Sequence, residues 1–531
     1  MMSPDMLRVL MASPGEWALF DVREAGEAET GHILGATFLP RRQIELRIEE
    51  LVADRRTQII VYDDGGDRAA LAAKTLRELG YGRTDILYGG LPAWLDMGGK
   101  VAKGSNVPSK QFGEEVFVDR QVPQVTADEL ADLVDQDDVV ICDIRLRSEH
   151  ETARVPNAHY IGNFDIALAA KQLADTGKAI VCHCAGRTRS ILGAQTLVDL
   201  GVERAYALKD GTMGWVLSGR ELEKGPVRHK LEPEADSVAA AMASVENLAR
   251  ENGVQWRKAE ELFIELDKRS QGLQNGYFFD VRQLEDYEAG HIPGTQALPG
   301  GQAILRADDF IAIRNALIIV IDEGGVCAGM TALWLRRLGY RNVYACRDAI
   351  ETWRASGRDL EIGRGRALPV GLEAAKAAAS GLTVAQAREF LAEHSETTVV
   401  NVDNSKSFAA RHLPGSVWVQ RGWLEDRISV LVPDKSKPVL VTSGSELQSI
   451  FAAATLNQLG YEKVHYLSGG VAAWHDAGLD IEDGLPKESD RETSDLVLPP
   501  YARGKEGMKR YLSWEKDLQP RTNQSGHSQE V

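Results

Sequence analysis

The most informative segment of this chain is Ala179-Ile180-Val181-Cys182-His183-Cys184-Ala185-Gly186-Arg187-Thr188-Arg189-Ser190. Its apolar beginning predicts a short buried strand, and a helix is expected to begin near Ser190. Cys184 therefore lies where a strand turns into a helix, beside backbone N–H groups that point inward. These amides, the helix N-terminus and the neighbouring arginines are expected to hold the sulfur as an anion. The pattern is typical of a sulfur nucleophile that meets an anionic substrate.

Length and composition indicate several globular domains. The chain has 531 residues, of which 44% are hydrophobic and 26% charged, and its length suggests about three to five domains. The net charge of −17 disfavours nucleic-acid binding, and no apolar run approaches a membrane span. The N-terminus lacks a visible export signal, and the five cysteines are too few and odd in number for a disulfide framework. We therefore expect a cytoplasmic protein.

One sequence repeat occurs four times along the chain. Each copy has a Leu-Gly pair, a tryptophan fourteen residues after that glycine, and an upstream strand end of the type Asp-x-Arg, which is degraded in the fourth copy. The tryptophans, expected to be core anchors, are Trp94, Trp215, Trp353 and Trp474. Apolar runs alternate with segments of helical period, which predicts an α/β fold with a parallel sheet covered by helices on both faces. The middle spacing between copies is longer than the outer two, which suggests two tandem pairs joined by a linker.

These copies resemble the rhodanese family of sulfurtransferases. The resemblance rests on the Asp-x-Arg strand end, the Gly-His-Ile-x-Gly turn at 31–35 and 290–294, the loop at 184–189, and the Gly-Gly-x-x-x-Trp stretch at 89–94 and 469–474. It implies four rhodanese-like domains, each with a central parallel sheet of about five strands flanked by helices. It also implies a cysteine that carries sulfane sulfur as a covalent persulfide, with no further cofactor.

Registration of the copies identifies the domain that can be catalytic. The residues seventeen positions before the Leu-Gly glycines are Asp63, Cys184, Asp322 and Ser443, so a thiol stands there in the second copy alone. We predict rhodanese-like domains at 1–100, 120–222, 256–358 and 380–482, of which the second is catalytic and the others are silent. A C-terminal tail follows at 483–531, and its segment Tyr511-Leu512-Ser513-Trp514 could pack back on the body.

The other cysteines are interpreted as structural. Cys182 lies within the strand end and is expected to be half-buried, with its side chain pointing away from the loop. Cys142 and Cys346 are expected to be buried and inert, and Cys327 occupies the last position of its loop. Cys184 is therefore the predicted nucleophile.

Several polar residues near the loop are also interpreted as structural. Asp143 and Arg145 match the strand-end pair and are expected to form a salt bridge, with His183 structural as well. The turn histidines of the other copies are expected to stabilise their turns, and in the second copy an arginine replaces this residue. These positions are His32, Arg154, His291 and His412.

The predicted activity is that of a rhodanese-like thiosulfate sulfurtransferase. The Cys184 thiolate attacks the outer sulfur of thiosulfate or a related anionic donor, sulfite leaves, and a thiol or cyanide acceptor, or an acceptor protein, takes the sulfur. Backbone N–H groups of the loop would hold the persulfide, and Arg187 and Arg189 are candidate anion clamps. The predicted substrate-binding residues are Ala185, Gly186, Arg187, Thr188 and Arg189.

Other functions remain as alternatives. In one, the protein is a multi-domain scaffold or a redox or persulfide sensor with a regulatory thiol. A phosphatase is disfavoured, because phosphatases of this fold have five residues between cysteine and arginine, whereas four separate Cys184 from Arg189. The loop also does not resemble the neutral Cys-Gly-Ser-Gly-Val-Thr type of mercaptopyruvate-using members. No metal is expected, because Cys182-His183-Cys184 lacks a second ligand pair.

Overall fold

The structure is a computed structural model that describes residues 1–365, 368–485 and 494–518. It confirms the predicted α/β class, with one parallel sheet for each of the four sequence copies. Of the predicted tail, residues 486–493 and 519–531 lie outside the described residues. Among the residues described, no helix combines the length and apolar character that a membrane crossing requires.

The first two copies and the helix between them follow in chain order. The elements of the first copy are α1 (Pro4–Met11), β1 (Trp17–Asp21), α2 (Ala25–Glu29), β2 (His32–Ile33), β3 (Thr37–Phe38), α3 (Ile44–Leu51), β4 (Gln58–Tyr62), α4 (Arg68–Glu78), β5 (Thr84–Ile86), α5 (Gly90–Asp96) and β6 (Val101–Ala102). After α6 (Val107–Asp119), the second copy has β7 (Gln124–Val125), α7 (Ala127–Asp135), β8 (Val139–Asp143), α8 (Arg147–Thr152), β9 (His159–Tyr160), α9 (Ala170–Asp175), β10 (Ala179–His183), α10 (Thr188–Asp199), β11 (Ala205–Leu208) and α11 (Gly211–Leu217).

The remaining copies repeat this order. The third has α12 (Ala235–Glu251), β12 (Gln255–Arg257), α13 (Ala259–Ser270), β13 (Gly276–Asp280), α14 (Leu284–Ala289), β14 (Gln296–Ala297), α15 (Gly300–Leu305), α16 (Ala307–Phe310), β15 (Leu317–Ile321), α17 (Val326–Leu338), β16 (Val343–Cys346) and α18 (Ala349–Ala355). The fourth has α19 (Leu372–Ala378), β17 (Ser380–Leu382), α20 (Val384–Glu393), β18 (Thr398–Asn401), α21 (Ser405–Ala410), β19 (Val417–Trp418), α22 (Leu424–Leu431), β20 (Val439–Thr442), α23 (Glu446–Gln458), β21 (Val464–Leu467) and α24 (Gly470–Asp476), and α25 (Gly504–Lys516) closes the described chain.

The four sheets share one strand order, except that the first sheet lacks one edge strand and its order starts from the opposite edge. The order runs β3-β1-β4-β5 in the first copy, β7-β11-β10-β8-β9 in the second, β12-β16-β15-β13-β14 in the third and β17-β21-β20-β18-β19 in the fourth. The first sheet has four strands, and a parallel bridge between Met2 and Leu87 lies at its β5 edge. β2 and β6 form a separate antiparallel pair.

The central strand of the second sheet is buried on both faces. Every residue of β10 is buried, as expected for an apolar parallel strand with helices on either side. Successive side chains alternate, so Ile180 and Cys182 belong to one core cluster and Val181 to the other. This strand carries the chain directly to Cys184.

The motif residues stabilise the loops around each sheet. The four tryptophan indoles donate to a backbone carbonyl six residues later, at 2.9–3.0 Å. The histidines His32, His291 and His412 place Nδ1 2.9–3.2 Å from the carbonyl four residues earlier. Arg154 contacts the equivalent carbonyl of His150 at 3.3 Å. These contacts agree with the predicted structural roles.

The described residues separate into two compact units. The first unit contains the first and fourth copies, in residues 1–13, 17–105 and the described part of 367–498. The second contains the second and third copies with α25, in residues 14–16, 106–365 and 499–518. The suggested pairing of sequence neighbours one with two and three with four is therefore wrong.

Contacts between the second and third copies explain why these two copies form one unit. The Trp334 indole of the third copy donates to the Thr196 hydroxyl of the second at 3.1 Å. Arg337 and Asp199 form an ion pair of 2.9 Å beside it. Helix α12, which fills the longer spacing, packs on both copies. The spacing thus reflects a helix inserted within one unit and does not mark a boundary between units.

Candidate active site

The Cys184 loop lies at the carboxyl end of the central strand of the second sheet. β10 ends at His183, and α10 begins at Thr188, two residues before the expected helix start. The carboxyl ends of parallel strands, beside helix N-termini, are where α/β folds place their active sites. The predicted site residues 184–189 therefore lie together in one turn.

Gly211, the first residue of α11, lets that helix approach this loop closely. Gly211 has a φ of +54°, and a Cβ there would lie 2.3 Å from the carbonyl oxygen of Cys184. The N–H of Thr212 donates to Cys184 O at 2.9 Å, and the N–H of Met213 donates to Ala185 O at 3.1 Å. The start of α11 thus fixes the backbone on which the thiol stands.

The Cys184 side chain faces the first turn of α10. It is 3% exposed, and its Sγ lies 3.5 Å from the hydroxyl of Ser190. The Ser190 hydroxyl donates to the carbonyl of Arg187 at 2.8 Å. In the fourth copy Ser443 and Ser449 hold the same register positions, and their hydroxyls are 2.9 Å apart. The loop therefore directs its first side chain in the same way in both copies.

In the first and third copies, backbone N–H groups of the equivalent loop donate hydrogen bonds to a carboxylate. Asp63 accepts hydrogen bonds from the N–H groups of Gly65 at 2.8 Å and Ala69 at 2.9 Å. Asp322 accepts one from the N–H of Cys327 at 2.9 Å. Such inward amides form a nest for negative charge. Burial still raises the pKa of Asp63, and it raises the pKa of Asp322 to about 7.

The Arg187 guanidinium is held by carboxylates. It donates from Nε and Nη2 to Glu114 of α6 at 2.6 and 2.8 Å, and from Nη1 to Asp210 at 3.3 Å. It also lies 5.1 Å from the centre of the Phe117 ring. Burial lowers the pKa of Arg187, but Glu114 and Asp210 outweigh burial and raise it. The role of Arg187 as an anion clamp stays a prediction. It would require the guanidinium to bind the anion while it remains hydrogen-bonded to Glu114 and Asp210.

The Arg189 guanidinium is likewise paired with a carboxylate, in a partly buried ion pair. Its two terminal nitrogens donate to the two oxygens of Glu149 at 2.7 and 2.8 Å. Burial lowers the pKa of Arg189, whereas the Glu149 charge raises it and dominates. The arginine thus ties the loop to α8, and its contact with substrate stays a prediction.

A buried network of ion pairs and hydrogen bonds surrounds Asp143, at the end of the strand β8 next to β10. Arg145 donates to both oxygens of Asp143 at 2.8 and 2.7 Å, which forms the expected salt bridge. His150 Nδ1 lies 2.9 Å from the same carboxylate. Burial opposes ionisation of Asp143, but the charges of His183 and Arg145, together with hydrogen bonds from Arg145 and His150, keep the Asp143 pKa low. Burial lowers the pKa of His183 to about 4, and its Nε2 lies 3.8 Å from Asp143, beyond hydrogen-bond distance.

The remaining cysteines are buried, and burial raises the pKa of each thiol. Cys182 is fully buried rather than half-buried, because α10 covers it; a Cβ on Gly193 would lie 3.8 Å from its Sγ. Burial raises the pKa of Cys182 well above the ordinary value and that of Cys142 and Cys346 to about 12. Cys327 donates to Asp165 at 2.9 Å, and burial raises its pKa strongly.

Helix α25 covers the entrance to the loop. A cavity of about 80 Å³ lies between them, bounded by residues 184–189 and by Met213, Leu305, Pro500, Tyr501, Tyr511 and Glu515. Met508 and Leu512 pack against Met213 to hold the helix there. The expectation that the tail segment packs back on the body is thus correct for Tyr511 and Leu512.

Sequence reasoning did not identify Glu515 or Glu114 as parts of the site. Glu515 follows Met508 and Leu512 at helical spacing, so the pattern i, i+4, i+7 was the available signal. Within the described ranges, no group of three or more His, Cys, Asp and Glu side chains could hold a metal ion.

The chain matches a family model four times. The model of the rhodanese-like domain matches residues 3–97, 126–218, 264–356 and 383–477, which is more than half of the chain. The crystal structure of a thiosulfate sulfurtransferase from Pseudomonas aeruginosa is similar over 97% of this chain and 96% of its own, with a TM-score of 0.87 and 33% identity.

Curated relatives match single domains. An uncharacterised protein from Bacillus subtilis (strain 168) is 40% identical over 83 residues, 16% of this chain, and the chain spans 62% of its length. A sulfurtransferase from Allochromatium vinosum is 34% identical over 88 residues, 17% of this chain and 80% of its own. A thiosulfate sulfurtransferase from Glaesserella parasuis is 28% identical over 112 residues, 21% of this chain and 98% of its own.

Proposed function

The chain belongs to the rhodanese family, and on that premise we propose that it is a sulfurtransferase whose second domain works through a Cys184 persulfide. Thiosulfate or a related anionic compound is the donor, and a thiol or cyanide is the acceptor. The Cys184 thiolate forms a bond to the outer sulfur of thiosulfate, the bond between the two thiosulfate sulfurs breaks, and sulfite leaves with its electron pair. The acceptor then takes the outer sulfur and returns Cys184 to the thiolate.

One observation carries this function. In the first and third domains, the loop equivalent to the Cys184 loop directs N–H groups at the Asp63 and Asp322 carboxylates. A persulfide is also an anion, and the same loop geometry supplies a cradle for its negative sulfur. The domain that has a thiol at this position therefore combines a nucleophile with stabilisation of its charged intermediate.

The first, third and fourth domains have no sulfur nucleophile at this position. The Asp63 and Asp322 carboxyl groups occupy the nest themselves, and the Ser443 hydroxyl is too weak a nucleophile without an activating base. We expect these domains to be silent in sulfur transfer. The third domain packs on the second, which gives it a structural role in this unit.

Steady-state turnover of thiosulfate and cyanide tests the assignment. Cys184→Ala should abolish turnover, because the sulfur has no other carrier in the loop. Cys182→Ala is the matched control, since Cys182 lies two residues away with a strongly raised pKa and should leave most of the turnover intact. Turnover that survives Cys184→Ala, or that depends on Cys182 instead, would contradict the mechanism.

The same experiment separates catalysis from sensing. A scaffold or persulfide sensor would bind sulfur at Cys184 without repeated turnover. The loop geometry favours the enzyme, because a cavity beside the thiol leaves space for donor and acceptor in turn. Failure to turn over with thiosulfate, combined with a stable modified thiol, would favour the sensor.

A further inference from the structure

Glu515 is a buried carboxyl group that sulfur transfer as described above does not use. Its side chain is 1% exposed although it belongs to the last helix of the described chain. Oε1 accepts a hydrogen bond from the Thr188 hydroxyl at 3.0 Å. Oε2 is buried without a hydrogen-bond partner among the described residues. One oxygen is thus anchored to the loop, and the other accepts no hydrogen bond of good geometry from the part of the chain that the structure describes, although the Tyr511 phenol interacts with the same carboxyl group.

Glu515 Oε2 lies at the loop that contains Cys184. A Cβ on Gly186 would lie 3.2 Å from Glu515 Oε2, so this oxygen lies against the loop backbone. Glu515 and Cys184 border the same cavity of about 80 Å³. Burial raises the pKa of the Tyr511 phenol, and the nearby charges of Glu515 and Cys184 raise it further. The carboxyl, the phenol and the thiol therefore form one cluster.

Charged groups from three elements face this carboxyl. Lys110 and Glu114 lie on α6, Arg187 on the loop, and Tyr511 on the same helix as Glu515. The Lys110 ammonium lies over the rings of Tyr511 and Trp514, at 5.2 and 4.9 Å from their centres. Arg187 is already paired with Glu114, so the cluster around Glu515 is close to balanced in charge.

The second half of the reaction needs a proton acceptor. A free thiol with a pKa of about 8.5 is mostly protonated at neutral pH, and the thiolate is the attacking species. The acceptor must reach the outer sulfur of the persulfide, which would project from Cys184 into the cavity that Glu515 borders. The volume admits the reacting end of a thiol, since it equals about two or three water molecules at roughly 30 Å³ each.

We propose that Glu515 is a catalytic residue that accepts the proton of the incoming acceptor thiol, a role that rests on the proposed persulfide mechanism. The S–H proton passes to Glu515 Oε2 as the thiol sulfur forms a bond to the outer persulfide sulfur. The bond from that sulfur to Cys184 Sγ breaks, and Cys184 keeps its electron pair as a thiolate. The acceptor leaves as a persulfide, and Glu515 returns the proton to it or to solvent.

The environment of Glu515 suits proton transfer. Burial raises the pKa of this carboxyl above its ordinary value, against the lowering effects of Lys110 and the Thr188 hydrogen bond. A general base works best when its pKa approaches the working pH, and such residues contribute roughly 10²–10⁴-fold in rate. An acceptor without a proton, such as sulfite, has no need of this group.

Single-turnover discharge of preloaded protein tests the role. The protein is loaded with thiosulfate, freed of excess donor and mixed with 2-mercaptoethanol or with sulfite near neutral pH. Glu515→Gln should slow discharge by the thiol at least about tenfold and leave discharge by sulfite unchanged. Glu506→Gln is the matched control, because Glu506 lies on the exposed face of the same helix and should change neither rate.

Two results would overturn the role of Glu515. One is an unchanged thiol rate in Glu515→Gln, and the other is an equal fall with thiol and sulfite, which would indicate a structural tether. The unmodified protein supplies a second measurement that is independent of folding of the variant. Its thiol rate between about pH 6 and 8 should rise less steeply than the thiolate fraction, and strict proportionality would exclude a base. Failure to load at all would instead reject the persulfide mechanism.

Discussion

Cys184 was predictable at the residue scale because its position follows from a count. The strand, the loop and the Leu-Gly pair recur at fixed offsets, so the register alone distinguishes Cys184 from Cys182 as the loop residue. The partners of the loop were not predictable in this way. Glu114 and Glu515 lie far from it along the chain, and only the packing of α6 and α25 brings them to Arg187 and Thr188 of the loop.

Removal of the Glu149 carboxylate should destabilise the loop. Glu149→Ala leaves the buried Arg189 guanidinium without its paired acceptor, which costs about 1–3 kcal/mol because Glu149 itself is partly exposed, and persulfide loading should slow because the loop loses its tie to α8. The matched control is Glu151→Ala, since Glu151 pairs with Arg147 at the surface and contributes at most about 1 kcal/mol. Urea denaturation of both variants measures the difference, and equal effects would contradict the assigned ion pair.

The buried carboxyl of Asp322 predicts a pH dependence of stability. Its folded pKa of about 7 lies above the ordinary value of 3.8, so folding takes up a proton between these values. The free energy of unfolding should therefore fall as pH rises from about 4 to about 7, by at most roughly 4 kcal/mol from this group. Asp322→Asn should remove this slope. Thermal unfolding at several pH values measures it, and a parent–variant difference that does not change with pH would reject it.

At the scale of elements, the apolar runs and the repeat predicted the sheets and their flanking helices. The sequence pattern predicts a start of α10 near Ser190, whereas the helix begins two residues earlier, because the loop residues Thr188 and Arg189 already have helical backbone. The tail helix α25 was suggested only by its aromatic segment. Its apolar stripe is short and interrupted by charge, so the sequence did not indicate that it closes the cavity at Cys184.

Weakening the contact of α25 should expose the nucleophile. Leu512→Ala removes a side chain that packs on Met213 and Met508, a change that costs about 2–5 kcal/mol when it opens a buried site. Alkylation of Cys184 by iodoacetamide, followed by peptide mass spectrometry, should become several-fold faster. Lys509→Ala on the exposed face of the helix should leave the rate unchanged. An unaltered rate in Leu512→Ala would show that α25 does not limit access.

At the scale of the whole molecule, the repeat predicted four domains but not which of them pack together. Domain spacing along the chain reports linker length, whereas packing depends on side chains from distant segments such as Trp334 and Thr196. The second and third domains share buried aromatic surface, and the Phe164 and Trp334 rings are nearly parallel at 6.4 Å. The third domain thus completes the core behind the domain that contains Cys184.

Truncation of Trp334 should uncouple these two domains. The side chain is fully buried, and its replacement by alanine costs about 3–5 kcal/mol. We expect a lower melting temperature and reduced sulfur transfer by the second domain, although Trp334 lies in the third. Trp353→Ala, which alters a partly exposed tryptophan within the third domain, should affect transfer less. Equal loss of transfer in both variants would contradict a specific role for the shared core.

The most direct test of the central assignment is peptide mass spectrometry after treatment with thiosulfate and removal of excess reagent. The peptide that contains Cys184 should gain the mass of one sulfur atom, and cyanide should remove it. The peptides that contain Cys142, Cys327 and Cys346 should remain unmodified, and fragmentation should place the added sulfur on Cys184 rather than Cys182. Absence of the added sulfur, or its location on any other cysteine, would contradict the assignment of Cys184 as the sulfur carrier.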